Sequence, residues 1–272
     1  MKYVIGIDVG GSTTKIVGFD ENGKLIAPMF VRANDQLTSA YGAFGKFCAQ
    51  NGIGLGDINC IKMTGVGAAF VKDTLYNIPT THEVEFPCTA RGGLYLSGLP
   101  EAIVVSMGTG TAVVHAKKDG SFEYLGGTGV GGGMLSGLVK RYLGISMTEN
   151  LIELAKGGDL KNVDLRVSDI TSNDVHPDLC PELTASNFGR IKDGATNADI
   201  ALGLINMIVE TVAMLAVFAA RSSGLKDIVL TGNISTMPQC RTIFDSLEGV
   251  FGVRFIIPEN SEFGTVIGAA LA

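Results

Sequence analysis

The residues best suited to chemistry open the chain. Asp8 ends an apolar run, Gly10-Gly11-Ser12-Thr13-Thr14 follows, and Lys15 begins a second apolar run. Adjacent glycines admit positive φ and carry no side chain, so a ligand can reach the backbone N–H groups. Successive N–H groups in such a turn form a concavity suited to phosphate oxygens, to which Ser12, Thr13 and Thr14 add hydroxyl donors. Lys15 supplies a cation, and Asp8 at the strand end is placed to hold a hydrated Mg²⁺. Taken alone, the stretch reads equally well as an ordinary hairpin with Asp8 as a turn acid.

The same grammar recurs about a hundred residues on. An apolar run carrying Ser106 leads into Gly108-Thr109-Gly110-Thr111 and a further apolar run. A third strand pattern, from Asp227, ends on Thr231-Gly232-Asn233. Two phosphate-type hairpins in one chain point to a duplicated α/β domain with nucleotide in the cleft between the copies. No Gly-x-x-x-x-Gly-Lys-Ser/Thr occurs, so this is not a Walker-type loop. Gly98-Leu99-Pro100 is the best boundary, giving domains 1–98 and 99–272. Beyond it, residues 124–137 hold seven glycines in fourteen positions and open an apolar-periodic helix. That is more backbone freedom than a structural turn needs, and a glycine-rich loop feeding a helix N-terminus is a ready anion site.

The positioning elements are legible in outline. The pattern predicts strands on both sides of the first turn, a third strand over 24–31, and a helix over 36–51 with Leu37, Tyr41, Phe44, Phe47 and Cys48 on one face. A strand over 58–64 leads to Gly65-Val66-Gly67, read as a strand-to-helix connection. A strand over 81–86 puts Glu83 and Glu85 on one face, either as solvated acids or with one of them a general base. A helix begins near Pro87. Later come a helix near 151–156, a polar surface excursion over 171–181, and an apolar helix over 200–220. A strand from 228, a helix over 239–247, a strand over 253–257 and a small-residue helix from 261 complete the chain.

Composition narrows the classes. The 272 residues are 46% apolar and carry a net charge of −6, without a basic run of the kind that binds nucleic acid. Cys48, Cys60, Cys88, Cys180 and Cys240 form no Cys-x-x-Cys pair, and with no signal segment they read as reduced cytoplasmic thiols. The 200–220 run has membrane-span length, but Asn206 and Glu210 in its middle favour a buried domain helix over a membrane span.

Taken together, the motifs resemble the type II pantothenate kinases of the actin/sugar-kinase/Hsp70 superfamily. The resemblance rests on Ile7 to Ser12 with Lys15, Val84-Glu85-Phe86, the Gly-Thr-Gly-Thr turn at 108–111 and the glycine loop at 126–134. It extends to Gly158-Asp159, Val163-Asp164, the Leu-Thr-Ala-Ser-Asn-Phe-Gly run at 183–189, and Phe263-Gly264 with Gly268-Ala269. It implies a duplicated actin-like (ribonuclease H-like) ATPase fold of two domains around a nucleotide cleft. It further implies a cytoplasmic homodimer that uses ATP and Mg²⁺ to phosphorylate pantothenate, a small molecule, in the first step towards coenzyme A. Carried over by position, Asp8, Val9, Gly10, Gly11, Ser12, Thr13, Thr14, Lys15 and Thr109 would hold the triphosphate and metal. Gly132, Gly133, Met134, Leu135, Ser136 and Asn233 would line the nucleotide site. Glu85 would be the base, and Ser106, Tyr124 and Arg91 would face the substrate.

One departure concerns the substrate carboxylate. The family pattern has an arginine just before the Gly-Gly of the second glycine loop, where this chain has Tyr124-Leu125. Arg91, about one turn into the helix after Glu85, either reaches across the pocket to replace that charge or lies on the solvent face. The rival readings are a kinase for pantetheine or a sugar, an ATPase activator of 2-hydroxyacyl-CoA dehydratases, and a nucleotide-binding regulator without turnover.

Overall fold

The computed structural model describes residues 2–11, 13–32, 35–71, 74–171 and 180–272. Expectations for Ser12, and for residues 172–179 of the polar excursion, lie outside the described residues. In chain order the elements are β1 (Tyr3–Val9), β2 (Thr13–Phe19), β3 (Leu25–Arg32), α1 (Gln36–Asn51), β4 (Ile58–Thr64), β5 (Thr74–Leu75), β6 (Ile78–His82) and α2 (Glu85–Ser97). Then follow β7 (Glu101–Met107), β8 (Thr111–Lys117), β9 (Phe122–Thr128), α3 (Gly132–Leu143), α4 (Thr148–Ala155), β10 (Leu165–Arg166), α5 (Val167–Ile170) and β11 (Thr184–Ser186). The chain closes with α6 (Asn197–Ser222), β12 (Asp227–Thr231), α7 (Pro238–Phe251), β13 (Arg254–Ile256) and α8 (Gly264–Ala270).

Two sheets carry the same topology. The first runs β3-β2-β1-β4-β6-β5 and the second β9-β8-β7-β12-β13. In each, the leading hairpin is antiparallel and two later strands add in parallel beside its first strand, β4 and β6 in one and β12 and β13 in the other; the short β5 caps the first sheet antiparallel to β6. Alternation along the strands gives every sheet two apolar faces. Ile5, Ile7 and Ile16 face Phe44 and Phe47 of α1, while Ile103, Val105 and Leu230 face α6 and α7.

The opposite faces are covered by exchange. α2, which follows the first sheet in the chain, lays Ala90 and Leu94 on Val104 and Val114 of the second sheet. α8, from the far end of the chain, lays Val266 and Ile267 on Val17 and Phe19 of the first. Every strand of the first sheet thus precedes residue 98 and every strand of the second follows it, while α2 and α8 cross between them. α2 and α8 cross in backbone contact: a Cβ on Gly92 would strike the Gly264 carbonyl, and one on Gly268 the Cys88 carbonyl. Neither backbone can yield locally, so Gly268→Ala is expected to cost about 1–3 kcal/mol, the range for overpacking a tight core. Thermal unfolding checks this, and an unchanged Tm would mean that the crossing has slack.

Two elements depart from the sequence pattern. β6 ends at His82 and Glu85 opens α2, so Glu83 and Glu85 do not share a strand face. Pro87 lies in the first helical turn, where no intrahelical N–H donor is needed, so the helix starts before it. Residues 122–128 form a strand rather than the loop expected over 124–128. Pairing with β8 shifts between Val113 and Val114, leaving Leu125 as the extra residue between Tyr124 and Gly126. Such a bulge re-aims neighbouring side chains at a sheet's rim.

The long α6 starts on a capping box between Thr196 and Asp199, and its polar residues are satisfied inside the protein. Asn206 Nδ2 donates to Asp164 Oδ2 at 3.0 Å. Glu210 accepts from Thr184 Oγ1 at 2.9 Å and Asn187 Nδ2 at 3.1 Å, while the Phe188 N–H reaches Asp164 Oδ1 at 2.8 Å. The Leu-Thr-Ala-Ser-Asn-Phe-Gly run is thus the polar partner of a core helix. Burial raises both the Asp164 and the Glu210 carboxyl above the usual range, and these hydrogen bonds oppose the rise.

Candidate active site

Two cavities meet between the sheets. One, of about 490 Å³, is lined by both hairpin turns, the start of α2 and the Gly232-Asn233 turn. The other, of about 680 Å³, lies between the hairpin turns, α3, and the segment leading into α4. Gly11, Thr13, Gly108, Thr109 and Asn233 line both, so the hairpin turns form the wall and the passage between them.

In the first cavity Asp8, next to last in β1, lies opposite Lys15 on β2. Burial pushes the Asp8 carboxyl above the usual range, while the charge of Lys15 acts the other way. Lys15 is held across the fold, its Nζ donating to the Glu262 carbonyl at 2.6 Å, and burial lowers its pKa against the pull of Asp8 and Glu262. Gly65, at φ 87, closes on this pair: a Cβ there would strike the Asp8 carboxylate and lie 2.6 Å from the Val9 carbonyl. The glycine lets β4's turn press against the acid, a close approach that a plain strand-to-helix connection does not require.

Glu85 sits at the start of α2 and lines the same cavity. Burial, then the charge of Asp8, raises its carboxyl pKa, which suits a group that must take up a proton. Glu83 differs in kind. Lys62 donates to it at 3.0 Å and Thr81 at 2.9 Å, and despite some burial these partners hold it below the ordinary glutamate range. The two acids near this turn therefore differ: Glu83 is tied into an ion pair, whereas Glu85 lines the cavity with a raised pKa.

Of the residues expected to hold phosphate, Gly10, Gly11, Thr13, Lys15 and Thr109 line the first cavity. Val9 is wholly buried in the first core, and Thr14 is buried, accepting a hydrogen bond from Ser39 Oγ at 2.6 Å. Gly132, Gly133, Leu135 and Ser136 line the second cavity with Asn233, whereas Met134 points outward at 38% exposure. The glycine run proves to be partly a docking surface. The Gly132 and Gly133 N–H groups donate to the Gly108 and Thr109 carbonyls, both at 2.8 Å. Those two donors of α3 are therefore occupied. A Cβ on Gly131 would come within 2.8 Å of Gly110, so the second hairpin seats against the helix only through glycine.

Ser106 and Tyr124 line the first cavity, where the Tyr124 ring stacks on Phe86 at 4.1 Å and 12°. Arg91 does not line it. Its Nη1 donates to the Gly268 carbonyl at 2.7 Å, which places the guanidinium on the α2–α8 crossing rather than across the substrate pocket. Glu262 and Thr265, which carry no sequence motif, also line the cavity, as do Gly65 and Val66 of the turn that the sequence reads as a mere connection. At the far cavity Arg32, from β3, bridges to Glu149 of α4 at 3.1 Å and links the two halves at the surface.

Among the described residues no group of three or more His, Cys, Asp or Glu could cage a metal. Magnesium can be held by a single carboxylate when phosphates and water complete its shell, and Asp8 is a buried carboxylate in the cavity lined by the Gly/Thr turns.

Comparison with known proteins gives the family. Residues 76–243 match the Fumble family. The type II pantothenate kinase of Staphylococcus saprophyticus is 30% identical over 238 residues, covering 84% of each chain. That of Staphylococcus haemolyticus is 28% identical over 275 residues, 97% of this chain and 98% of that one. Among solved structures, component A of the Acidaminococcus fermentans (R)-2-hydroxyglutaryl-CoA dehydratase superposes with a TM-score of 0.69 over 100% of this chain and 97% of that one. At 20% identity it speaks for the shared fold alone. A Fumble match over more than half of the residues, with full-length kinase relatives on either side of it, leaves one assignment: the chain belongs to the Fumble family, that of the type II pantothenate kinases.

Proposed function

We infer that this protein is an ATP-dependent kinase that phosphorylates pantothenate on its terminal hydroxyl, the reaction that opens coenzyme A synthesis. The observation that carries the reading is the pair of cavities joined through the two Gly/Thr turns. A nucleoside fits the larger one, where Leu135, Val139, Met147 and Ile234 offer an apolar bed beside Ser136. Its phosphates then lie at the junction, and the acceptor occupies the smaller cavity with Glu85.

Phosphoryl transfer asks little covalent chemistry of the protein, and positioning with charge neutralisation does most of the work. The Glu85 carboxylate takes the proton from the acceptor hydroxyl as its oxygen bonds to the γ-phosphorus, and the bond to the ADP oxygen breaks. Lys15 and the hydroxyls of Thr13 and Thr109 face the phosphate oxygens. Asp8 would hold a magnesium ion that neutralises phosphate charge. Ser106 and Tyr124 bound the acceptor. We further assign the protein to the cytoplasm as a homodimer, in keeping with the family resemblance.

A coupled ADP-release assay tests the reading, run with Mg-ATP and pantothenate beside a sugar panel. Pantothenate-dependent ADP release with formation of a phosphomonoester is expected. Turnover with a sugar but not with pantothenate would reject it.

A further inference from the structure

The first cavity is unbalanced in charge. Asp8, Glu85 and Glu262 line it, and Lys15 is the one basic side chain among the described residues that does. Lys15 is already bonded to the Glu262 carbonyl at 2.6 Å and faces Asp8 across the hairpin. Two other cations near the start of α2 are engaged elsewhere, Arg91 with the Gly268 carbonyl at 2.7 Å and Lys62 with Glu83 at 3.0 Å. An acceptor carrying a carboxylate would bring a further anion towards three acids and the nucleotide phosphates, with no free cation among the described residues of the cavity wall.

What that wall offers instead is aromatic. Phe86 follows Glu85 at the start of α2, and its ring lies flat on Tyr124 at 4.1 Å. Tyr124 is aimed there by the bulge at Leu125, and its hydroxyl lies 2.7 Å from where a Cβ on Gly127 would stand. The glycine thus makes room for the phenol and fixes it over the cavity. A stacked pair with one hydroxyl suits a planar, uncharged amide, which can lie on a ring face and take one hydrogen bond. It suits a carboxylate poorly, because a desolvated anion needs a cationic or multidentate partner.

We propose that the acceptor site selects molecules uncharged at the end remote from the reacting hydroxyl, so that N-substituted amides of pantothenate, the pantetheine class, are better acceptors than pantothenate itself. The proposal rests on the kinase reading above and makes Tyr124 a specificity-determining residue.

The test is steady-state kinetics of the full chain with Mg-ATP on pantothenate, pantetheine and a simple N-alkyl pantothenamide. The wild type is expected to show a kcat/KM at least about tenfold higher for the two amides, the scale on which one charged hydrogen bond discriminates. Tyr124→Arg is expected to raise kcat/KM for pantothenate through a lower KM and to lower the amide preference. A wild type that uses pantothenate as well as or better than the amides overturns the proposal and leaves the kinase reading intact. Turnover of none of the three overturns both. The wild-type comparison decides the matter even if the variant folds poorly.

Discussion

Replacing Glu85 by glutamine is expected to lower kcat by roughly 10²–10⁴-fold, the usual worth of a general base, with little change in the KM for ATP. The amide keeps the shape and the place at the start of α2 but cannot accept the hydroxyl proton. The nucleotide should be indifferent, because Glu85 lines only the acceptor-side cavity. The pH profile gives a second readout. Burial and Asp8 raise the Glu85 pKa, so the carboxylate is lost to protonation at a higher pH than an ordinary glutamate. The acid limb of kcat/KM for the acceptor should therefore lie above the ordinary glutamate range and disappear in the variant. Wild-type turnover in Glu85→Gln would remove this residue from the mechanism. Glu83 is a poor substitute, being tied to Lys62 and Thr81.

Asp8→Asn should separate activity from stability. A neutral amide holds a hydrated dication poorly. A loss on the order of 10²–10³-fold in kcat/KM, with a higher Mg²⁺ requirement, matches the removal of one preorganised electrostatic partner. Stability should move in the other direction. The folded-state pKa of Asp8 is raised above its unfolded value, so keeping the group ionised costs free energy at every pH above that range. The cost is relieved only as pH falls and the carboxyl protonates. At neutral pH and without nucleotide, the asparagine variant should melt at or above the wild-type temperature, with the difference vanishing in acid. A lower Tm with unchanged magnesium dependence would mean that Asp8 is structural.

Much of this site can be read in the sequence because it is local. A hairpin is a short-range object, and the Gly/Thr turns at 10–14 and 108–111 carry their own chemistry wherever the strands end up. The 3.6-residue period of α1 marks both of its ends. What cannot be read is where a local piece meets a distant one. Gly65 looks like a connector until the Asp8 carboxylate is seen packed against it. The glycines at 131–133 suggest a free anion cradle, yet two of their N–H groups are committed to carbonyls of the second hairpin. Arg91 has a reach that helix periodicity cannot aim, and the Gly268 carbonyl, 177 residues away, determines its direction. Glu262 lines the cavity, and its carbonyl accepts from Lys15 across 247 residues of chain.

The exchange of α2 and α8 between the sheets has a consequence for synthesis on the ribosome. Although its first five elements complete a hairpin, a third strand, a helix and a parallel strand, the first sheet leaves the Val17 and Phe19 face bare until α8 has been made. α2 likewise emerges before any strand of the sheet it will cover. Duplication of a fold would ordinarily allow each copy to close as soon as it is translated. Here the leading half must wait, part-assembled and with apolar surface open, for the trailing one. Nascent chains stalled ahead of α8 should therefore be protease-sensitive throughout the leading half and should need chaperone cover, whereas chains released after α8 should acquire resistance in both halves together.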